Sequence, residues 1–550
     1  MASNGYYQQQ QPYYGQQPYG APPPQQSYPP YPPQPPQYGS YPPPQQPQHG
    51  EQPYGAPPPG PPPPGPPPPQ QSAPSYAAPN FNPDEKQSFD QTFKVQGGPK
   101  WNDLWAGILF IVFVLGFIVV SVISLRGYSS SEPGGGGINN GNAFTLSRST
   151  IILFAFVLAV AIVLSYLYVL LARMFPKLFI WVTGILNIIF GFVTAIYFLY
   201  RKQYVGGIIF LIFCVFLVIA FISWIPRIPF SALMLRTSVD VAKKHGHVWM
   251  VSALGGLIGA AFGAWYAVTL VAVYASYTPD SRNPNCRSGG CSQGKVIGLV
   301  VFLTFTAFWI SEWLKNTIHT TISGVYGSWY FCSRNYPQRV TRGALKRSLT
   351  YSFGSISLGS LIVAIINFLR MLCSIARQQA AADGDILSCI LFGCLGCIIS
   401  LLQWAVEFVN RYAFSHIALY GKAYFAAAKD TWTMIKDRGI DALVNECLIG
   451  PVLSMGAMFV AFACALLSFL YLTFTNPSYN TGGSFTVPIV AFSFLIGLQI
   501  CNVFTTPLSS GIDTIFVATA WDPEVLMRDH PDIYHQMVAV YPEVQQAIHA

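Results

Sequence analysis

Polar side chains that could bind a ligand concentrate in one apolar stretch of the sequence, from Trp309 onward. If the stretch is a helix, one face carries Trp309, Glu312, Trp313, Asn316 and Thr320, at i, i+3, i+4, i+7 and i+11. A quaternary ammonium cannot donate an N–H hydrogen bond, so proteins hold it with aromatic faces and a nearby negative charge. This face therefore predicts a site for a small organic cation, with Glu312 supplying charge and the indoles supplying aromatic faces.

Two neighbouring residues leave the role of this face open. His319 is suited to a polar contact or a proton step, because imidazole changes charge near physiological pH. Lys315 follows Glu312 by three residues and would pair with it when no substrate is bound. In the alternative interpretation, this pair lies at the membrane interface, and the tryptophans anchor the helix there.

A second charged pair, Glu407 and Arg411, lies at i and i+4 near the inner end of another apolar segment. The spacing predicts either a structural pair or a gate. Cys394 and Cys397 have CxxC spacing, but they lie inside the same apolar segment, which favours small packing residues over metal or redox chemistry.

The usual catalytic signatures are missing from the sequence: there is no nucleophile elbow, phosphate loop or zinc helix. We therefore expect no catalytic residues, metal or cofactor, and a protein that is not an enzyme.

The composition excludes an ordinary soluble protein. Hydrophobic residues make up 52% of the chain and charged residues only 9%, against about a quarter charged in typical soluble domains. The 30 Lys and Arg residues are scattered between apolar runs, which gives nucleic-acid binding little support. No signal peptide opens the chain, so the first membrane helix is expected to act as the targeting signal.

Ten apolar segments are long enough to cross a bilayer, which requires about 20 residues each. They are residues 104–125, 149–172, 178–200, 204–225, 248–275, 296–323, 349–372, 386–409, 446–473 and 485–508. With the amino terminus in the cytoplasm, the inner flanks hold 19 Lys and Arg residues and the outer loops hold 9. This asymmetry predicts ten spans with both termini cytoplasmic. The sixth and ninth segments exceed one straight crossing, so we expect tilts, kinks or breaks there.

The first 83 residues differ from the rest of the chain. They hold 30 of the 45 prolines, and Glu51 is their only charged side chain. Such a segment cannot bury enough apolar surface to fold, and its proline runs favour polyproline II. Pro35, Pro36 and Tyr38 fit the PPxY form that WW domains bind, and the proline runs fit SH3 domains. A plain solvated tail is the alternative.

The predicted organisation is thus an all-α polytopic membrane protein in four parts. They are a disordered Pro/Gln/Tyr-rich cytoplasmic tail at 1–83, a juxtamembrane segment at 84–103, a ten-helix domain at 104–508 and a cytoplasmic tail at 509–550. The loop between spans five and six faces the oxidising exterior in this arrangement. A Ser-Gly-Gly turn there separates Cys286 from Cys291, so we expect a small disulfide between them.

Two regions resemble the choline transporter-like family. One runs from Trp309 to Phe331 and includes Asn316, His319 and Gly324; the other begins at Gly511 and continues to Asp522-Pro523. The proline-rich extension and Trp101-Asn-Asp-Leu-Trp105 are similar to the fungal plasma-membrane branch of this family. The resemblance covers roughly residues 90–545 and implies about ten spans, cytoplasmic termini, the plasma membrane, and movement of choline or related solutes. The loop after span one is short here, unlike the large glycosylated loop of animal members.

From the residues and the resemblance together, we expect a multi-pass solute transporter that works by alternating access. Its partners would be a small organic cation such as choline, the lipid bilayer, and WW- or SH3-domain proteins at the tail. Nucleic acid is not an expected partner. Two other functions stay open. One is lipid handling, as a scramblase or head-group enzyme, and the other is a membrane scaffold that recruits partners through its tail.

Overall fold

The computed structural model describes residues 100–131, 148–202, 204–279, 291–333, 336–437, 447–475, 477 and 486–542. The proline-rich tail with Pro35, Pro36 and Tyr38 lies outside the described residues, as does Cys286. Of the juxtamembrane segment, only residues 100–103 are described.

The described chain is helical, and no strand occurs within it. A short 3₁₀ turn at Ile225–Arg227 joins the fourth helix to the fifth. The helices in chain order are α1 (Leu104–Ser131), α2 (Arg148–Met174), α3 (Pro176–Tyr200), α4 (Tyr204–Trp224), α5 (Ile228–Lys244), α6 (His247–Tyr277), α7 (Gln293–Phe331), α8 (Val340–Leu349), α9 (Phe353–Ala382), α10 (Ile386–Tyr420), α11 (Tyr424–Asp437), α12 (Ile449–Thr475), α13 (Thr486–Trp521), α14 (Pro523–Asp529) and α15 (Pro531–Val540).

Ten helical stretches of the described chain are long and apolar enough to cross a membrane, which confirms the predicted fold class. Helix formation is imposed by lipid, which offers no hydrogen-bond partners to an open backbone. Helices α7 and α12, which correspond to the sixth and ninth apolar segments, run without a break.

The tenth span is longer than the sequence indicated. Helix α13 continues to Trp521 rather than ending at residue 508. Its last turns contain Ser510 and Asp513, which lower the local hydropathy but are buried against other helices. Hydropathy alone therefore ends the span too early, because it cannot register polar residues that face protein.

Helices α9 and α10 form an antiparallel hairpin around a three-residue turn. Gly384 has a positive φ of 74°, a conformation that glycine adopts without steric cost. Asp385 then caps α10, because its carboxylate accepts a hydrogen bond from the Ser388 backbone N–H at 3.1 Å. The turn is compact enough to keep the two long helices in direct contact.

Helix α6 packs closely on its neighbours through glycines. A Cβ at Gly255 would lie 2.2 Å from the Ile318 side chain of α7, and one at Gly259 would touch Leu314. Nothing lies within 4 Å of a Cβ at Gly263. The first two glycines therefore permit the close approach of α6 and α7.

Helix α13 passes through Pro507 without ending. Proline has no N–H, so the carbonyl four residues earlier, on Val503, loses its usual helical donor. The Ser252 hydroxyl of α6 donates to that carbonyl at 2.7 Å. A side chain from a neighbouring helix thus replaces the missing backbone bond.

Asn102 and Asp103, just before α1, form hydrogen bonds to other helices at one end of the bundle. The Asp103 carboxylate accepts hydrogen bonds from the Ser355 hydroxyl at 2.6 Å and the Tyr424 backbone N–H at 2.8 Å. The Asn102 amide donates to the Gly421 carbonyl at 2.8 Å. These bonds tie α1 to α9 and to the junction between α10 and α11.

Candidate functional site

Helix α13 is apolar along most of its length but carries a polar stripe. Gln499, Asn502, Thr506, Ser510 and Asp513 recur at i, i+3, i+7, i+11 and i+14, and so lie along one face. Gln499 and Asn502 are exposed, Thr506 is partly buried, and Ser510 and Asp513 are buried. Polar side chains within membrane spans face protein or water rather than lipid. The stripe therefore indicates a hydrated path that ends at Ser510 and Asp513.

Helix α10 supplies a second polar stripe, formed by Gln403, Glu407 and Arg411 at i, i+4 and i+8. The Glu407 carboxylate accepts a hydrogen bond from the Gln403 amide at 2.8 Å. Arg411 forms its ion pair across the helix interface, with Asp513 at 3.7 Å. The two residues predicted as a pair or gate thus share a face, while each has a different partner.

The ion pair between Arg411 and Asp513 has one buried and one accessible member. The side chain of Asp513 is 8% exposed, whereas that of Arg411 is 47% exposed. A buried carboxylate requires such a partner, because the desolvation of an unpaired charge is costly. The cation is therefore the accessible member of the pair, and its anion lies in the packed interior.

His319 of α7 connects this ion pair to the neighbouring hydroxyl groups. Its Nε2 lies 2.9 Å from the Arg411 carbonyl oxygen and 3.2 Å from the Ser415 hydroxyl, and its Nδ1 lies 2.9 Å from the Ser510 hydroxyl. A carbonyl oxygen can only accept, so Nε2 carries the proton in this bond. A neutral ring then accepts from Ser510 at Nδ1. We call His319, Arg411, Ser510 and Asp513 the polar floor.

On one side of the polar floor the helices are tightly closed. Every residue is buried in three segments, residues 320–328 of α7, 412–419 of α10 and 510–520 of α13. In contrast, α10 has no buried residue between 386 and 409, on the other side of the floor. The three helices are therefore closely packed on one side of the floor, whereas α10 is unburied on the other side, with the floor at the boundary.

The seal contains a close contact between α7 and α13. A Cβ at Gly511 would lie 2.2 Å from the ring of Tyr326, so only glycine fits there without displacing the ring. The Tyr326 hydroxyl donates to the Ser238 carbonyl of α5 at 2.8 Å, and the Ser238 hydroxyl donates to the Leu508 carbonyl at 2.9 Å. These bonds connect α5, α7 and α13 next to the floor.

The predicted indole pair lies in an aromatic cluster. Trp309 is completely buried, and its indole N–H donates to the Ser357 carbonyl of α9 at 3.0 Å. Phe110 and Phe113 of α1 pack edge-on against it, each at 5.3 Å between ring centroids. Trp313 is partly exposed and stacks on Phe110 at 5.0 Å. The rings of Trp309 are covered in this conformation, whereas part of Trp313 stays accessible.

The polar members of the predicted stripe have partners on α7 and α9. Glu312 lies 3.5 Å from the Lys315 ammonium and accepts a long hydrogen bond from the Asn367 amide, also at 3.5 Å. Asn316 is buried and donates to the Ser360 hydroxyl at 2.9 Å. The structure thus brings Glu312 and Asn316 together along the α7–α9 contact, and His319 to the contact of α7 with α10 and α13.

Sequence reasoning does not identify two floor residues, Ser510 and Asp513. A signal is present, since the polar spacing along α13 is as regular as that along α7. Hydropathy ends the apolar segment at residue 508, which places both residues in the predicted tail. Their location depends on which helices meet, which one sequence does not disclose.

The cysteine and metal predictions have separate outcomes. Cys291 is disulfide-bonded, but its expected partner Cys286 lies outside the described residues, so the pairing stays a prediction. Cys394 and Cys397 are free and exposed. Among the residues that the structure describes, no three His, Cys, Asp or Glu side chains form a group that could hold a metal ion.

Ten apolar helices around a partly buried set of charged and hydroxyl groups define a multi-pass membrane protein with a polar interior. Residues 208–524 match the family model described as plasma-membrane choline transporter. The matched region contains the whole polar floor. The chain belongs to the choline transporter-like family, and it is a multi-pass protein of the plasma membrane.

The chain is also similar to fungal proteins named Protein PNS1 (pH nine sensitive). The Gibberella zeae protein is 62% identical over 470 residues, which cover 85% of this chain and 87% of the relative. The Neurospora crassa protein is 64% identical over 466 residues, covering 84% of each. The Saccharomyces cerevisiae protein is 41% identical over 468 residues, covering 83% of this chain and 87% of the relative.

Proposed function

We propose that this protein moves a small organic cation, such as choline, across the plasma membrane by alternating access. The observation that carries the proposal is the polar floor, which lies where the unburied stretch of α10 meets the closely packed segments of α7, α10 and α13. Family membership supports transport as the general function. The substrate and the mechanism are inferred from the charges and the packing of this region.

Charge around the floor favours a cation. The candidate residues on α7, α10 and α13 include three carboxylates, Glu312, Glu407 and Asp513, and two bases, Lys315 and Arg411, an excess of one negative charge. A quaternary ammonium would compete with the bases for these carboxylates without donating a hydrogen bond. The hydroxyl group of choline could then bond to the serine and amide groups nearby.

Alternating access follows from the asymmetric packing. A solute that reaches the floor from the open side can advance only if α7 and α13 separate at Tyr326 and Gly511. Binding shifts such an equilibrium only through contacts that differ between the two states. Replacement of the Arg411–Asp513 ion pair by a substrate–carboxylate pair would provide that difference. We propose that Trp309 stays structural in this conformation and that Trp313 supplies the accessible aromatic face.

His319 is the candidate for proton coupling. Its two nitrogens join Ser510 of α13 to Arg411 of α10, so protonation would turn the Ser510 bond around by making Nδ1 a donor. The His319→Gln variant keeps hydrogen-bonding groups but cannot titrate. If uptake is proton-coupled, this variant loses its dependence on an imposed pH gradient.

The test of the proposed site is uptake of labelled choline by proteoliposomes that contain the purified full chain. Asp513→Asn and Glu312→Gln each remove one negative charge with little change in shape, and we expect uptake to fall at least tenfold in both. Asp532→Asn removes an exposed acid of the last helix and serves as the matched control, with uptake unchanged. Normal uptake by correctly folded Asp513→Asn and Glu312→Gln variants would remove these residues from the path.

Two further proposals concern orientation and rival functions. If all ten candidate helices cross, residues 100 and 542 lie on the same side, and the distribution of Lys and Arg supports the cytoplasmic side for both ends. Lipid scrambling, measured in the same vesicles with a labelled phospholipid, distinguishes lipid handling from solute transport. Deletion of residues 1–83 would abolish the activity of a scaffold that recruits WW- or SH3-domain proteins, but it would preserve transport.

A further inference from the structure

A groove lies between α9 and α10, near the turn at residues 383–385 and apart from the polar floor. The groove is open on one side and has a volume of about 560 Å³, and its polar lining includes Arg370, Ser374 and Arg377 of α9 and Ser400 of α10. Phe392 of α10 contributes an apolar wall. The groove is therefore amphipathic, with its basic groups on α9.

The charge of the groove is uniformly positive. Arg370 and Arg377 lie at i and i+7, so both project from the same face of α9. No acidic residue lines the cavity. Within the described part of the chain, neither guanidinium forms an ion pair or hydrogen bond. Of the two turn carboxylates, that of Asp385 is engaged in capping α10, and neither it nor that of Asp383 lines the groove.

Both arginines lie on the half of α9 that leads to the turn. Arg370 precedes the end of α9 by 12 residues and Arg377 by 5, which correspond to about 18 Å and about 8 Å along the helix axis. A charged side chain on a spanning helix is costly without a partner, and a long stem extends its head toward the membrane surface. An anion at the membrane surface would therefore be a suitable partner for the two guanidinium groups.

The opposite wall leaves room for that anion. A Cβ at Gly393 would meet only Arg377, at 3.9 Å, and one at Gly396 would meet only Cys373, at 3.8 Å. Both distances are ordinary contacts, so the glycines leave space rather than permit close helix packing. Because α10 has no buried residue from 386 to 409, this wall lies at the surface of the protein.

We propose that the groove binds the phosphate group of a membrane phospholipid between Arg370 and Arg377. Guanidinium groups bind phosphate oxygens through two parallel charge-assisted hydrogen bonds. The acyl chains would follow the exposed apolar surface of α10, of which Leu401 is part. A free anion lacks this apolar portion, and this difference favours a lipid as the occupant.

The test measures phospholipid binding to the purified full-length protein in detergent, by native mass spectrometry and by the shift in thermal unfolding temperature. The probes are phosphatidylglycerol, phosphatidylcholine, diacylglycerol with the same acyl chains, and inorganic phosphate. We expect the two phospholipids to bind and stabilise the protein, and the phosphate-free diacylglycerol and inorganic phosphate to do neither. Equal stabilisation by inorganic phosphate would indicate a soluble-anion site and overturn the proposal.

Variants separate the groove from general effects of charge. Arg370→Gln with Arg377→Gln should weaken phospholipid binding about 10- to 100-fold, because charge-assisted hydrogen bonds are lost. Gly393→Leu keeps both charges but fills the groove, and it should weaken binding as well. Arg126→Gln removes an exposed arginine of α1 outside the groove and should leave binding unchanged. Unaltered binding in the double arginine variant, or arginine-dependent dimers in place of bound lipid, would refute the assignment.

Discussion

The contact between Gly511 and Tyr326 provides a direct test of the seal below the polar floor. In Gly511→Ala, the new Cβ would lie 2.2 Å from two atoms of the Tyr326 ring and 2.8 Å from a third. Ordinary contacts between carbon atoms begin near 3.5 Å. The ring must therefore move by about 1 Å or more, or the two helices must separate.

The cost of this displacement has two parts. Overpacking of a well-packed interior costs about 1–3 kcal/mol. The Tyr326 hydroxyl would also move away from the Ser238 carbonyl, which it now contacts at 2.8 Å. A buried polar group left without a partner costs about 1–3 kcal/mol. We expect Gly511→Ala to destabilise the sealed conformation by about 2–6 kcal/mol in total.

A double-mutant cycle distinguishes this clash from a general effect of alanine. Thermal unfolding of the purified protein is measured for Gly511→Ala, Tyr326→Leu and the two changes combined. Leucine removes the ring atoms that the Cβ would meet, so the cost of Gly511→Ala should fall by more than half in that background. Gly263→Ala is the matched control, because nothing lies within 4 Å of its Cβ. Strictly additive effects, or equal losses in Gly511→Ala and Gly263→Ala, would refute the close contact.

Two further predictions concern other parts of the bundle. Ser252→Ala should destabilise the protein by about 1–3 kcal/mol, because the Val503 carbonyl loses its donor. Thermal unfolding should show a smaller cost in a Pro507→Ala background, where a backbone N–H returns. Equal costs in the two backgrounds would contradict the role of Ser252 as the replacement donor. Burial lowers the pKa of His530, whose Nε2 donates to the Tyr330 carbonyl at 3.0 Å. The undocked histidine therefore binds a proton more readily than the docked one. Docking of α14 and α15 should be complete above about pH 6.5 and weaken as the pH falls from there toward the lowered pKa. Hydrogen exchange over residues 523–540 at about pH 7.5 and about pH 5 measures the effect, when each rate is divided by the intrinsic rate of the free chain at that pH. Protection should be lower at the lower pH, and a His530→Asn variant should lose the difference; lower protection at the higher pH would contradict the reasoning.

The number and order of the spans could be predicted from sequence because the bilayer constrains local structure strongly. A backbone in lipid must satisfy its hydrogen bonds within its own helix, so an apolar run of sufficient length has few alternatives. Helix ends were less predictable where polar residues pack against protein. The end of α13 shows this, since Ser510 and Asp513 reduce hydropathy and yet are buried.

The arrangement of the candidate site depended on information that one sequence does not contain. Periodicity correctly indicates that Trp309 and Glu312 can share a helix face, but not which helix that face meets. The indole of Trp309 meets the phenylalanines of α1, whereas Glu312 meets Asn367 of α9. Likewise, the spacing of Glu407 and Arg411 suggests a pair on one helix, while the ion pair of Arg411 is formed with Asp513 of a distant segment.

Charged side chains on the spanning helices occupy two different settings in this bundle. At the polar floor, Arg411 has an acidic partner and a histidine beside it, so its charge is balanced within the protein. In the groove, Arg370 and Arg377 have no acidic neighbour in the cavity lining. A balanced charge suits a transient ligand, because it costs little when the ligand leaves, whereas an unbalanced pair on a spanning helix favours a resident anion. This contrast supports both proposals, a passing cation in the interior of the bundle and a retained lipid on its outer face.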